Sequence, residues 1–242
     1  MKLVYFPALF RPLALAVVAA FNLIGCASEP KTASPRARVP RLRDSVVIDG
    51  RLTEACFARA PLVAQFVVAG APRRAPQPTR AWLFWEPERL VFGFDVIDAD
   101  IVAAPESGRE RDVDPQDRVE LFLWSGRTND NYYCIEISAR GALHDYSARF
   151  YRQFDDAWSP AGWRYAVTPT SRGYQVEGEL SRAAMEWMGF RLAAGERLRA
   201  GLFRADFRTG APEPDWLCWV DARGPQPDFH VAESFAEIIF AP

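Results

Sequence analysis

A histidine and two acids lie together just before the C-terminal strand-like segment of this 242-residue chain. Asp228, Phe229, His230 and Glu233 fall within six residues, and His230 is one of two histidines in the sequence. A neutral imidazole donates one hydrogen bond, accepts another and can change protonation near neutral pH. Arg204, farther upstream, could hold Glu233 or an acidic ligand with its planar guanidinium. We therefore expect either a polar ligand site or a buried network of Arg204, His230 and Glu233.

A second reactive pattern places a carboxylate between aromatic rings in the segment RVELFLW. Period-2 alternation puts Glu120 on one strand face with Phe122 and Trp124, whereas the apolar residues between them share the other face. Such a carboxylate can bond two adjacent hydroxyl groups while the rings stack on the ligand. The alternative is a solvated residue on a half-exposed sheet. Glu136 could face the same side of a neighbouring strand, so an acid pair for glycoside cleavage stays open.

A run of aspartates crowds one long charged loop and offers oxygen ligands. Asp98, Asp100, Asp112, Asp114 and Asp117 lie within twenty residues of each other. Loops rich in carboxylates can bind Ca²⁺, although the spacing is not that of an EF-hand. The sequence therefore leaves open a structural calcium site or a set of solvated loop residues, and it predicts no other cofactor.

The elements that must position these residues are short strands separated by Pro, Gly and Asp. Strands are predicted over 45–50, 62–68, 118–124, 131–138 and 142–151, and a hairpin over 80–86 and 90–97. Two short helices are expected, one capped by Thr53 and one by Ser181. With neither an internal repeat nor a Gly-rich phosphate loop, this pattern predicts an all-β antiparallel sandwich of about 200 residues, resembling a jelly roll.

The N-terminus predicts export. Residues 1–25 carry Lys2 and Arg11 around an apolar run that is too short to span a membrane comfortably. The run ends in Leu-Ile-Gly-Cys, which resembles the lipobox of bacterial lipoproteins and implies acylation, for example by palmitate, at Cys26. Ala27 at the next position favours the outer membrane of the cell envelope over the inner one. An ordinary signal peptide with an incidental cysteine is the alternative.

The segment that follows is rich in Pro, Ala and Arg, so we expect a flexible tether over 26–44 and one domain over 45–242. Cleavage leaves 27 Lys+Arg against 31 Asp+Glu, a net charge of −4, because the first 25 residues hold two cations and no acids. Nucleic acid is therefore excluded as a partner, since its binding needs clustered cations. Cys56, Cys134 and Cys218 are an odd number with no metal-like spacing, so either one disulfide or free thiols are compatible.

The order of short motifs resembles the family 9 carbohydrate-binding modules and their stand-alone bacterial relatives. The motifs are IDG, DVIDADI, DRVELFL, YCIEISARGALHD, GYQVEGEL, GLFRADF, WLCW and DFHVAESF, and they extend over 45–242. The resemblance implies a jelly-roll or immunoglobulin-like sandwich of the DOMON superfamily, which includes sugar-binding and haem-binding domains. It also implies a monomer that binds an oligo- or polysaccharide in support of carbohydrate catabolism.

The resemblance also suggests which residues form the site. The family's acidic strand residue corresponds to Glu120, and its two clamping tryptophans correspond to Asp114 and Phe229. An arginine and an asparagine of the next strand correspond to Cys134 and Glu136. The ending WLCW with DFHVAE, and Arg204, resemble the stand-alone relatives. The expected carbohydrate-binding residues are therefore Glu120, Trp124, Glu136, Arg204, Trp216, Phe229 and His230.

The sequence is compatible with three main function classes. The first is non-catalytic saccharide binding by a membrane-tethered domain. The second is a glycoside-processing enzyme that uses Glu120 and Glu136, although the sequence contains no nucleophile elbow or HExxH. The third is a scaffolding lipoprotein without a glycan ligand. Haem binding is a further alternative, and its axial ligands would come from His144, His230, Met185 and Met188.

Overall fold

The computed structural model describes residues 35–71, 73–104 and 108–242. The predicted signal peptide, Cys26 and the first part of the predicted tether lie outside the described residues. Within the described ranges, no helix is both long and apolar enough to cross a bilayer.

Thirteen strands and one α-helix form the described part of the chain. In chain order they are β1 (Arg36–Val39), β2 (Val67–Val68), β3 (Thr79–Glu86), β4 (Arg89–Ile97), β5 (Arg118–Trp124), β6 (Tyr132–Ser138), β7 (Leu143–Arg149), β8 (Gln153–Asp155), β9 (Trp163–Thr170), β10 (Gly173–Ser181), α1 (Arg182–Trp187), β11 (Arg197–Asp206), β12 (Asp215–Cys218) and β13 (Ala236–Phe240). Two 3₁₀ turns cover Glu110–Val113 and Ala232–Ser234.

Two sheets pack face to face, which confirms the predicted β-sandwich. The larger sheet has nine strands, with the order β1-β13-β11-β5-β6-β7-β8 and with β12 and β2 attached beside β11. The smaller sheet has the order β3-β4-β10-β9. All neighbouring strands are antiparallel except β1, which runs parallel to β13. The predicted hairpin is β3 and β4.

The main core lies between the sheets and follows the predicted alternation. Leu90, Phe92, Phe94 and Val96 of β4 are all buried there, opposite Val119, Leu121 and Leu123 of β5. Burying a side chain of this size stabilises the fold by roughly 1.5–3 kcal/mol. This core fixes the direction of each β5 residue, because successive side chains of a strand point to opposite faces.

The other face of the nine-stranded sheet carries a second buried cluster, which is mostly aromatic. Phe122 of β5, Tyr132 of β6 and Phe203 of β11 contact Phe229 and Phe235 from the segment before β13. The C-terminal segment therefore folds over this face and excludes water from it. The interpretation of Glu120 as a solvated residue is wrong, because only 1% of Glu120 is exposed.

Several local predictions differ from the structure. The predicted strand over 45–50 is absent, because Asp49 and Gly50 donate their backbone amides to the Glu177 carboxylate rather than to a neighbouring strand. The helix expected after Thr53 is a run of turns. The helix expected after Ser181 is α1, and the Ser181 hydroxyl accepts a hydrogen bond from the Ala184 amide at 3.2 Å.

The domain also begins earlier than predicted. Residues Arg36–Val39 fall in the predicted tether, yet they pair along their whole length with β13, and Val39 is fully buried. The flexible tether over 26–44 is therefore wrong for this part of the segment.

Cys56, Cys134 and Cys218 are buried free thiols, so the alternative of a disulfide among them does not hold.

Candidate functional site: a cleft on the outer sheet face

A cleft of about 270 Å³ opens on the outer face of the nine-stranded sheet. Strands β5, β6 and β7 form its floor, and β8, β12 and the segment before β13 form its walls. Its lining combines ion-paired and hydrogen-bonded polar groups with aromatic rings: Arg111, Asp114, Arg118, Glu136, His144, Tyr146, Arg152, Phe154, Asp156, Trp216, Asp228, Phe229 and His230.

A buried arginine organises the floor of the cleft. The Nε of Arg118 lies 2.7 Å from Glu136 Oε2 and 2.9 Å from Glu120 Oε1. Its Nη1 donates to the Asp114 carbonyl at 2.6 Å. The Tyr146 hydroxyl donates to the other Glu136 oxygen at 2.6 Å. Glu136 is thus held in one orientation from both sides.

Glu120 sits beside Glu136 in the register of β5 and β6, but it does not line the cleft. The Arg118 Nε–H donates to Glu136, which leaves Glu120 Oε1 without a hydrogen-bond donor among the described residues. Burial, followed by repulsion from Glu136, raises the pKa of Glu120 to about 8. Glu120 is therefore a neutral acid near pH 7, which contacts Arg118 beside the cleft.

A histidine–aspartate pair forms one side of the cleft. His144 Nδ1 lies 2.8 Å from Asp114 Oδ1, and the imidazole is almost fully buried. Burial alone would lower the pKa of His144, but the bond to Asp114 and the charge of Glu136 raise it above its ordinary value. Beside it, Arg111 holds Asp156 with two hydrogen bonds of 2.7 and 2.8 Å.

The opposite side contains the residues of the C-terminal motif. His230 Nδ1 lies 3.1 Å from the Tyr132 hydroxyl, and its backbone amide donates to Asp228 at 2.8 Å. Arg152 donates to the same carboxylate at 2.9 Å. Burial and the nearby Arg152 lower the pKa of His230 to about 3. The imidazole is therefore neutral at physiological pH and acts as a hydrogen-bonding group rather than a charge.

Aromatic rings wall the cleft around these polar groups. Trp216 lies under the Arg118 guanidinium at 5.6 Å and meets Phe229 edge to face at 5.6 Å. Phe229 in turn stacks on Phe203 at 4.2 Å. Phe154 stands at the mouth with 39% of its surface exposed and contacts His230 at 5.1 Å.

The structure brings four of the seven expected site residues into the cleft: Glu136, Trp216, Phe229 and His230. Glu120 contacts Arg118 without lining the cleft. Trp124 is buried in the aromatic cluster, and its indole nitrogen donates to the Arg127 carbonyl at 3.0 Å. Placing Trp124 in the ligand site is therefore wrong.

Arg204 is also outside the cleft, because its side chain enters the opposite face of the sheet. It is fully buried and donates to Thr79 Oγ1, the Ile97 carbonyl, Asp98 and Asp206 at 3.0–3.1 Å. The expected network of Arg204 with His230 and Glu233 is wrong. Arg204 directly follows Phe203 in β11, so its side chain points to the opposite face of the sheet from Phe203, which packs in the aromatic cluster.

A cluster of carboxylates next to Arg204 could hold a cation. Oxygens of Asp98, Asp117 and Asp206 lie within 4.8 Å of one another, and all three residues are buried. Arg204 balances one of the three charges, while Asp206 Oδ2 and the Tyr174 hydroxyl lack partners among the described residues. The donor set is oxygen only, which suits calcium, but both Asp117 oxygens already accept backbone amides and burial raises the pKa of Asp117 to about 7.

The other calcium candidates do not join that cluster. Asp100 accepts hydrogen bonds from Thr209, and Asp112 pairs with Arg109. Asp114 lies in the cleft with Glu136 and His144, which are also within 4.8 Å of one another. Both Glu136 oxygens are already bonded, one of them to the Arg118 cation.

The haem alternative also loses two of its ligands, because Met185 and Met188 are buried in the main core.

Several cleft residues are absent from the sequence-based set, although strand parity indicates some of them. Arg118 precedes Glu120 by two positions, and Tyr146 follows His144 by two, so each shares the cleft face of its strand. Phe154, Asp156 and Arg111 come from β8 and loops. Their approach depends on tertiary packing, for which the sequence gives no periodic signal.

Comparison with solved structures shows what this architecture is similar to. A candidate carbohydrate-binding protein from Bacteroides uniformis superposes with a TM-score of 0.67 at 14% identity, covering 86% of this chain and 100% of that one. A family 9 carbohydrate-binding module from Caldicellulosiruptor kristjanssonii, in complex with cellotriose, gives 0.57 at 15% identity, covering 85% of this chain and 93% of that one. This chain has the fold of family 9 carbohydrate-binding modules.

The same module in complex with glucose gives a TM-score of 0.55 at 15% identity and covers 85% of this chain and 95% of that one. No family model matches this sequence, and no curated protein sequence matches it either. The likeness therefore establishes the fold, and the ligand has to be argued from the cleft of the family 9-like domain.

Proposed function

We propose that this protein binds a saccharide in the cleft without cleaving it. The observation that carries the proposal is the combination of aromatic walls with fixed polar groups. Trp216 and Phe154 offer partly exposed ring surfaces, with Phe229 packed behind Trp216, and Glu136, Asp228 and His230 offer oriented donors and acceptors. A sugar ring has an apolar C–H face and an edge of hydroxyl groups, so it matches both features.

The charges of the cleft favour a neutral sugar. Each arginine that lines it already has a carboxylate partner: Arg111 with Asp156, Arg118 with Glu136 and Arg152 with Asp228. An acidic sugar would have to break one of these pairs to gain a counter-charge. Hydroxyl groups, by contrast, can bond to the remaining lone pairs and N–H groups without disturbing the pairs.

The positions of Glu120 and Glu136 do not support glycoside cleavage by this pair. A glycosidase needs two carboxyl groups on opposite sides of the scissile bond. Here Glu120 and Glu136 are adjacent in the sheet and both contact Arg118 Nε, so they lie on the same side of any ligand in the cleft. These two residues therefore do not place an acid and a nucleophile on opposite sides of a bound sugar.

The structural neighbours are consistent with this proposal, because two of them were solved with glucose or cellotriose bound. Only the fold is shared at 14–15% identity, so the sugar recognised by this chain is a separate question. We propose neutral saccharides as the class and leave the choice of monosaccharide to a binding screen.

A glycan array followed by calorimetry tests the proposed function. We expect neutral glycans to bind and uronic acids of the same linkage to bind more weakly. Trp216→Ala should weaken binding by roughly tenfold, because one stacking contact and its desolvation are lost. Glu136→Gln should weaken it similarly, while Val47→Ala, an exposed substitution, should have no effect. Binding that survives both cleft variants unchanged would refute the site.

We further propose that the domain is anchored to the envelope through acylated Cys26, on the strength of the lipobox-like sequence. If so, only nine residues separate the lipid from β1, which limits their span to about 35 Å. The domain would then be held close to the membrane surface, in support of carbohydrate capture. Cys26→Ser should move the protein from the membrane to the soluble fraction, and no change in fractionation would contradict the anchor.

A further inference from the structure

A second aromatic surface lies outside the cleft, at the end of α1. Trp187 is 59% exposed, and its ring stacks on Trp158 with a centroid distance of 5.9 Å and an interplanar angle of 4°. Trp158 is 8% exposed and packs on Tyr133 at 5.0 Å. The exposed indole is therefore supported by a buried one and is held in a fixed orientation.

This surface is continuous with the cleft through one short stretch of chain. Phe154 and Asp156 line the cleft, and Trp158 follows Asp156 by two residues, a distance of at most about 7 Å between Cα atoms. Residues 154–158 thus pass over the free edge of the nine-stranded sheet, where β8 is the last strand. A ligand that left the cleft past Phe154 would follow this edge towards Trp187.

The surroundings of Trp187 identify the kind of ligand. Arg182, Glu186 and Glu88 lie on its helix or beside it, joined by ion pairs of 3.5 and 4.0 Å. Among the described residues the other exposed large hydrophobic side chains are Val47, Tyr151 and Phe154. Phe154 lines the cleft wall, and Tyr151 lies beside the cleft, where its hydroxyl donates to Asp228.

A protein partner or a lipid surface would need a broad apolar patch, which one ring among charges does not provide. A sugar unit needs only one flat ring and nearby polar groups. We propose that Trp187 is a second stacking subsite, which holds a later unit of the same saccharide chain whose first unit occupies the cleft. This inference rests on the proposed function and adds that the natural ligand is a chain rather than a monosaccharide.

Calorimetry with a chain-length series tests the proposal on the whole protein. The probes are glucose and the cello-oligosaccharides up to cellohexaose, or the matching series of whichever neutral sugar the array selects. Wild type should bind the longest chain at least fivefold more tightly than the monosaccharide. Trp187→Ala should remove this gain and leave monosaccharide affinity unchanged, and Trp187→Phe should retain part of it. Val47→Ala, at an exposed apolar position that belongs to neither site, is the control.

The possible outcomes separate the inference from the proposed function. Equal affinity for all chain lengths, or an unchanged length dependence in Trp187→Ala, would overturn the second subsite while the cleft remains a saccharide site. Sedimentation of the ligand-free protein tests the alternative that Trp187 contacts a second copy of the chain. A dimer that Trp187→Ala dissociates would also overturn the subsite. Absence of binding at every length would refute both proposals, and Trp216→Ala would then have nothing to reduce.

Discussion

At the scale of single residues, the cleft depends on Arg118. Its guanidinium is 6% exposed and lies within 3 Å of two glutamates and one backbone carbonyl. Arg118, Glu120 and Glu136 form a buried cluster, and removing the arginine takes away its only cation. Breaking such a unit by deleting one partner is strongly destabilising, because the remaining charge stays buried.

We therefore predict that Arg118→Ala lowers the free energy of unfolding by about 3–5 kcal/mol. Urea denaturation followed by tryptophan fluorescence measures this effect. The matched control is Arg127→Ala, since Arg127 pairs with Asp130 but its side chain is 78% exposed, and exposed pairs contribute little. Equal effects of the two substitutions would contradict the role given to Arg118.

Buried acids also predict how stability changes with pH. Burial raises the pKa of Glu120 to about 8 and that of Glu177 to about 7, whereas an unfolded glutamate titrates near about 4.3. The folded state therefore retains protons that the unfolded chain has released. This contribution is complete below the unfolded pKa and is lost as the pH rises through about 7 to 8.

The free energy of unfolding should thus fall between about pH 6.5 and pH 8, by roughly 1.4 kcal/mol per pH unit for each acid protonated only in the folded state. His230 acts in the opposite sense. Its pKa is lowered to about 3, so its contribution is lost as the pH falls below about 6.5. Measurements above that pH exclude the His230 contribution, and comparison with Glu120→Gln separates Glu120 from His144, whose pKa is raised. Glu120→Gln should flatten the profile, and a profile that rises with pH would be incompatible with neutral buried acids.

Prediction of single residues from the sequence succeeds where parity decides it. Alternation along β5 correctly separates Glu120, Phe122 and Trp124 from the core-facing residues. Alternation does not show whether other segments pack over a residue on the outer face, which is why it misplaces Trp124. The prediction for Arg204 fails for another reason. A polar residue on the core side of a strand looks anomalous until its partners from other strands are known.

At the scale of secondary-structure elements, β1 is the strand that the amino-acid composition fails to predict. A segment rich in Arg and Pro predicts a solvated tether, but four alternating residues suffice to extend the sheet at β13. Long amphipathic strands are predictable because each carries its own periodic signal. Short strands such as β1, β2 and β8 exist only because a neighbouring edge is available, which is tertiary information.

Removal of β1 should measurably destabilise the domain. We expect protein starting at Arg41 to unfold several degrees below protein starting at Pro35, because the unpaired edge of β13 and the buried Val39 side chain are both exposed. Val39→Asp should act in the same direction. Arg38→Ala, at an exposed position of the same strand, is the control, and equal melting temperatures for the two starting points would contradict this role.

At the scale of the whole molecule, the cluster around Arg204 joins the two sheets. Arg204 belongs to β11 of the larger sheet, whereas Thr79 begins β3 and Asp98 follows β4 of the smaller one. Three carboxylates and one guanidinium at this junction leave an excess of two negative charges when all three acids are ionised. A divalent cation there would link the sheets more firmly.

We accordingly propose that calcium stabilises the protein through Asp98, Asp117 and Asp206. Millimolar Ca²⁺ should raise the unfolding temperature relative to EDTA-treated protein, since an ion that binds only the folded state stabilises it by mass action. Asp206→Asn should abolish the increase, while Asp112→Asn, which changes an acid outside the cluster, should preserve it. Identical melting curves with Ca²⁺ and EDTA would dismiss the ion.

The whole molecule combines a sandwich scaffold, an aromatic and ion-paired cleft, and an open tryptophan beyond the sheet edge. The central claim is that a neutral sugar unit occupies the cleft. A crystal structure of the protein with the glycan that binds most tightly on the array tests this claim most directly. We predict a sugar ring against Trp216, with hydroxyl groups bonded to Glu136 and to residues near Asp228. A glycan bound elsewhere while the cleft contains only solvent would contradict the claim.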